Sequence, residues 1–246
     1  MGNGVTINPM HQFELKNFVN IEFFGHNFSI TNGTIIFGVV VLLGLLLGIL
    51  LGRFNKKIPS RFQSALEISL SIIRNVVAGS LGESGKKYVP FVFSVFLFIL
   101  LLNLLGLLPG SFAQTSQISI TFGMALMLFV VCVLITIAKK GLKFFTIFLP
   151  KGTPIWLSPL MFFIECFSYF VRPVSLSVRL AANMIAGHVL LDVIAFFVVM
   201  MGILGIFPFA FLSAMMAFEL FVSILQAYIF SVFACVYINE ACHGGH

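Results

Sequence analysis

The stretch PVSLSVRLAANMIAGHVLLDVIAFFVVMMGILGIF, residues 173–207, decides the fold, because its only fixed charges are Arg179 and Asp192 in an otherwise apolar run. A guanidinium keeps its charge at any physiological pH. Holding one at bilayer depth costs from roughly 3 kcal/mol to several times that, so such a charge marks function by default. Four more ionisable side chains, Glu165, Arg172, His188 and Glu219, stand in the same apolar half of the chain. Together they read as a polar route through lipid.

Composition sets the frame. Of 246 residues, 60% are hydrophobic and 9% charged, which leaves too little polar surface to cover a water-soluble core. The chain reads as an all-α integral membrane protein, since lipid offers no partners for backbone groups and helices satisfy their own. The period-two alternation of a membrane barrel is absent. The uncharged runs Thr34–Gly52, Tyr88–Leu108 and Gln117–Ala138 each approach the roughly 20 residues that a span needs. Val174–Phe207 as one helix would reach roughly 50 Å and Phe209–Ile238 roughly 45 Å, against a hydrocarbon core of about 30 Å. These two are expected to form a long, steeply tilted hairpin. The predicted architecture is five membrane helices plus one amphipathic surface helix in a single domain, 1–246. Its parts are an outer N-terminal segment (1–33), a first span (34–52), a surface helix on the inner side (60–79), a helical hairpin (88–138) and the helices that carry the polar route (155–240).

The net charge of +6 excludes a nucleic-acid binder once its location is considered. Eleven of the fourteen basic residues lie in Arg53–Arg61, Arg74–Lys87 and Lys139–Lys151, which the positive-inside rule places on the inner side. The N-terminus and the uncharged connections at Pro109–Ser116 and Gly205–Pro208 then face outward. Residues 1–33 match neither a secretory signal nor a transit peptide, and the first span is expected to serve as an uncleaved signal. Cys132, Cys166 and Cys235 read as small core residues, and the tail with Cys242, His243 and His246 as a frayed terminus, so no metal site or cofactor is expected.

Helical periodicity sorts the remaining residues. Gly44, Gly48 and Gly52 form a small-residue stripe suited to close helix approach. Phe62, Leu66, Leu70, Ile73 and Val77 share one face of the surface helix, opposite Gln63, Glu67, Ser71 and Arg74, with Ser60 and Gln63 as a capping box. A turn at Pro109, Gly110 and Ser111 closes the hairpin, and Asn103 is expected to make an interhelical hydrogen bond. At about 100° per residue, Glu165, Arg172, Arg179, Asn183 and Ala186 fall in one sector, with Glu165 and Arg172 a candidate ion pair, while His188 lies almost opposite Arg179. Glu219, Ser223 and Gln226 form a second polar stripe. Ala181, Ala182, Ala186 and Gly187 leave Arg179 accessible to a partner of opposite charge.

At these residues the sequence resembles subunit a of the F-type ATP synthase, in its mitochondrial and alphaproteobacterial form. The resemblance rests on PVSLSVRLAANMIAGH (173–188), FELFVSILQAYIFSVFACVYINEA (218–241), NLLGLLP (103–109) and FLPKGTPIWLSPLMFFIE (148–165). It implies a non-catalytic, proton-conducting stator subunit of an energy-transducing inner membrane. Its partners would be the c-subunit ring, a b-type peripheral stalk subunit and other ATP synthase subunits, with no nucleic acid. Arg179 would face the ring carboxylates between two offset half-channels. His188 and Glu219 match positions where some bacterial relatives carry the two residues exchanged, so they are expected to act as a pair. Asn183, Gln226, Ser223 and Glu165 would line the proton pathway, and Arg172 and Asn103 would support it. Two other classes remain in view: a self-contained secondary transporter, disfavoured by the lack of a repeated half, and a structural membrane anchor.

Overall fold

The computed structural model describes residues 17–23, 26–53, 61–108, 114–141, 148 and 156–243. Six helices carry the fold: α1 (Asn32–Arg53), α2 (Arg61–Leu81), α3 (Val89–Gly106), α4 (Ile118–Lys140), α5 (Ser158–Met200) and α6 (Ile206–His243). Five are long and apolar enough to cross a membrane, and the described side chains of α1 form a shorter apolar run, Gly33–Ile49. The chain is an all-α integral membrane protein. Ser60 and the turn at Pro109, Gly110 and Ser111 lie outside the described residues.

Ahead of α1 stands an antiparallel hairpin of β1 (Asn17–Phe23) and β2 (His26–Thr31). The register pairs Val19 with Ile30 and Ile21 with Phe28, so the apolar positions of the two strands coincide. Period-two alternation is confined to this one short segment among the described residues, which a search for long apolar runs passes over.

Helix α2 is amphipathic as expected. Its window has a mean hydropathy of 1.2, against 2.5 for the window of α3 and 2.7 for that of α4. Leu66, Ile73 and Val77 are buried, and Glu67, Ser71 and Arg74 are exposed. Gln63 departs from the expected face. It is buried, and its Nε2 donates to Glu67 Oε1 at 2.8 Å, which satisfies an amide that would otherwise be costly there.

The last two helices differ from their expected bounds. Helix α5 begins at Ser158 rather than Val174 and passes through Pro173 without ending. Its 43 residues extend roughly 64 Å. A proline inside a helix removes the hydrogen bond to the carbonyl four residues earlier, here Tyr169. The Tyr237 hydroxyl of α6 donates to that carbonyl, at 3.4 Å, so a neighbouring helix supplies part of what proline removes. Helix α5 stops at Met200, short of Phe207, because Gly202 adopts φ 54°, a left-handed conformation that glycine takes without steric cost. A Cβ at buried Gly205 would lie 2.5 Å from the carbonyl oxygen of Val198, so the hairpin closes backbone against backbone. Pro208 falls in the first turn of α6, where the missing N–H has no acceptor to lose.

Helix α6 is central: it packs on α2, α3, α4 and α5. Phe129 of α4, Tyr169 of α5 and Tyr237 of α6 meet edge to face, with ring centroids 5.1–5.6 Å apart, and Phe148 adds a fourth ring 5.5 Å from Tyr169. Such pairs favour this geometry over sandwiches and fix the three helices in register. A buried Gln114 amide donates to the Gly33 carbonyl, which ties the α3–α4 connection to the start of α1.

The two kinds of glycine make opposite predictions. Gly44 and Gly48 have nothing within 4 Å of an added Cβ, so Gly48→Leu should leave the thermal unfolding of the detergent-solubilised chain within about 0.5 kcal/mol of wild type. Gly205→Val should lower it by about 1–3 kcal/mol. Equal unfolding temperatures for the two variants would contradict the hairpin geometry.

Candidate functional site

A small, partly open cleft lies between α3, α5 and α6. Its polar lining is Asn103 from α3, Asn183 from α5, and Glu219, Ser223 and Gln226 from α6. The stripe on α6 thus faces inward: Glu219, Ser223 and Gln226 are 5%, 3% and 1% exposed. Asn103 makes the expected interhelical bond, donating Nδ2 to the Ser223 carbonyl at 3.2 Å. Among the described residues, no hydrogen-bond partner reaches Asn103 Oδ1, Ser223 Oγ, either polar atom of the Gln226 amide, or either Glu219 carboxylate oxygen. Buried polar atoms in native proteins are satisfied, by water where protein offers nothing. The open positions along this cleft suit ordered water.

Glu219 has one charged-state neighbour in α5: His188 Nε2 lies 3.8 Å from Oε1, and both side chains are almost fully buried. The two were placed on different helices by sequence, and the antiparallel hairpin brings them together. Gly187 allows this. A Cβ there would lie 2.8 Å from Cδ and 3.3 Å from Cγ of Glu219, so the carboxyl group occupies space beside the imidazole that a larger residue would take from it. Sequence reading credited Gly187 with exposing Arg179 and missed this contact. Asp192 stands one turn beyond His188 on the same helix.

Arg179 is elsewhere. It is exposed near the middle of α5, with Ala182, Asn183 and Ala186 exposed beside it and Val178 48% exposed. Nine residues separate it from buried His188, about 13 Å along the axis and half a turn around it. Asn183 lies between them, on the open side yet lining the cleft. Among the described residues Arg179 has no carboxylate partner in an ion pair.

Arg172 and Glu165 lie seven and fourteen residues from Arg179 in the other direction. The expected pair between them is loose, with Nη2 to Oε1 at 4.0 Å. The close partner is Glu240, whose Oε1 stands 2.6 Å from Arg172 Nη1. This corrects the sequence reading, which considered only partners on the same helix. The signal was present: counting back along antiparallel helices from His188 opposite Glu219 brings Arg172 within about a turn and a half of Glu240. The guanidinium also lies 5.8 Å from the Tyr169 ring centre and 5.9 Å from that of Tyr237, within cation–π range. Cys132 and Cys235 are buried core residues and Cys166 is partly buried. Cys242 does not fray: α6 continues to His243, and Lys139 Nζ donates to Cys242 Sγ at 2.8 Å.

The Gly187 contact can be tested without reference to activity. Gly187→Ala should destabilise the chain by about 1–3 kcal/mol through overpacking, and shortening the opposing side chain with Glu219→Asp should recover part of that loss in thermal unfolding. Wild-type stability of Gly187→Ala would show that the carboxyl group does not press on this backbone.

The sequence model of the family described as ATP synthase A chain matches residues 33–239. That span takes in the cleft, Arg179, Arg172 and Glu165, and stops one residue short of Glu240. A polar cleft buried in a bundle of apolar helices is what proton translocation across an energy-transducing membrane requires, and with this match over most of its length the chain belongs to the ATP synthase A chain family.

Proposed function

We propose that the chain is the stator of a rotary proton motor, offering two offset half-channels to the carboxylates of a c-subunit ring, with Arg179 between them. As a member of its family it is a proton-translocating subunit of the membrane sector and works with other ATP synthase subunits. The finer reading rests chiefly on one observation: the exposed Arg179 and the buried His188–Glu219 pair sit on opposite sides of α5, about 13 Å apart along it.

By the positive-inside rule the basic segments support a topology with the N-terminus outside and the loops after α1, α2 and α4 inside. A proton then enters from the outer side through the cleft, where Asn103, Asn183, Ser223 and Gln226 hold water and His188 and Glu219 pass it on. Imidazole and carboxylate suit such a relay. The proton neutralises a ring carboxylate, and a neutral site can rotate into lipid without the cost of an exposed charge. On the other side of Arg179 the returning site loses its proton, which leaves past Glu165 to the inner aqueous phase, with Arg172 in support. Arg179 draws the ionised ring carboxylate to itself and holds no exchangeable proton near neutral pH, so it blocks a direct leak between the paths. Each proton carries about 2.3 kcal/mol per 100 mV of membrane potential. A b-type peripheral stalk subunit would hold the chain against the torque.

Arg179→Ala separates this reading from that of a structural anchor. In inverted membrane vesicles containing the assembled complex, the variant should be incorporated at the wild-type level and lose ATP-driven acidification. An anchor would lose incorporation instead, and normal acidification would remove Arg179 from the mechanism.

A further inference from the structure

The proposed function gives Glu240 nothing to do, yet its geometry is specific. One guanidinium, that of Arg172, faces two carboxylates: Glu240 at 2.6 Å and Glu165 at 4.0 Å. The first distance is that of a short, charge-assisted hydrogen bond, and the second is beyond hydrogen-bonding range. Glu165 is also the more open of the two, its side chain 35% exposed against 21% for Glu240. The preference for Glu240 is supported from three helices. Tyr169 of α5 and Tyr237 of α6 flank the guanidinium, and Lys140 of α4 donates to the Glu240 backbone carbonyl, which fixes the turn that carries the carboxylate.

We propose that Glu240 is a positioning residue: by holding Arg172 it keeps that guanidinium from closing on Glu165, and so leaves Glu165 able to take up and release protons at the inner mouth of the pathway. The inference rests on the proposed function, in which Glu165 lines the inner path. A proton released by the ring binds a Glu165 carboxylate oxygen, then passes to inner water and returns the carboxylate to its starting charge. An arginine fork closed on that carboxylate disfavours its protonated form and stalls the cycle. Arg172 is within one side-chain movement of doing so. Glu165 and Arg172 are seven residues apart, on the same face of α5, so loss of Glu240 leaves Glu165 as the nearest carboxylate among the described residues.

The test is ATP-driven acidification of inverted vesicles containing the whole complex, with incorporation of the chain measured in parallel. Glu240→Gln should incorporate normally and pump about tenfold more slowly, the effect of a one-unit change in proton affinity. The double variant Glu240→Gln with Arg172→Gln should recover most of the loss, because both the tether and the group it restrains are gone. A merely structural Glu240 predicts the reverse, a double variant no better than the single one, and that result or normal pumping by Glu240→Gln would overturn the proposal. If Glu240→Gln fails to incorporate, Glu240→Asp supplies the same comparison, with a loss of about threefold that Arg172→Gln again relieves; no relief would again overturn it. Glu165→Gln is the control on the underlying reading. Normal pumping there would mean that the inner path does not use Glu165, a failure distinct from that of the tether.

Discussion

A permanent charge at Arg179, carried by the middle of an apolar helix and turned away from the rest of the chain, is the constraint on which the arrangement depends. Its cost in lipid is not offset by an ion pair among the described residues. The other four ionisable side chains between Glu165 and Glu240 that were singled out are matched within the chain: Arg172 with Glu240 and, loosely, Glu165, and His188 with Glu219. An arginine with no such pair among the described residues suits the proposed partner of opposite charge on another subunit. Small neighbours at Ala182 and Ala186 leave room for another helix to supply one. Membership of the ATP synthase A chain family gives that external carboxylate a natural source in the other subunits of the complex.

The protonatable pair obeys the opposite rule. His188 and Glu219 are buried in the chain, 3.8 Å apart between Nε2 and Oε1, with the carboxyl group in the space that the missing Cβ of Gly187 leaves. The polar atoms of the adjoining cleft that have no partner among the described residues suit ordered water. Under the proposed function, separation of the two rules onto two sides of α5 lets one helix carry a cation that keeps its charge and a site that exchanges protons. A single face serving both would place the proton within reach of the wrong aqueous phase.

Much of this was legible in the sequence. Apolar runs located the helices, and 3.6-residue periodicity placed Arg179 and His188 on opposite faces and put Glu219, Ser223 and Gln226 on one stripe. What periodicity within a helix cannot supply is the register between helices. For that reason Arg172 was paired with Glu165 on its own helix, whereas the closer carboxylate, Glu240, lies across the hairpin. The same limit hid the Gly187 contact. The bounds of α5 were misjudged for another reason: Pro173 is a helix breaker by propensity, and its effect is offset here by tertiary packing and by a hydroxyl from α6 that no local rule anticipates. The β-hairpin was missed because its strands are short and precede the apolar runs that dominate the chain.

The continuity of α5 through Pro173 has a mechanical consequence. Residues 165–192 ride on one rod, so the groups proposed for the inner and outer paths hold a fixed spacing, with Glu165 and His188 about 35 Å apart along the axis. A helix of roughly 64 Å cannot stand upright in a hydrocarbon core of about 30 Å; unless its ends lie in the interfaces, it must incline by about 60°. On so steep a rod, distance along the helix becomes mainly distance across the membrane plane. Glu165 and His188 are then displaced sideways as well as in depth, with Arg179 between them. A break at Pro173 would lose this offset, since the inner segment could stand upright under the outer one and align the two paths. The Tyr237 contact with the Tyr169 carbonyl, just ahead of the proline, binds α5 to α6 where such a break would begin, and so helps keep the proposed half-channels apart.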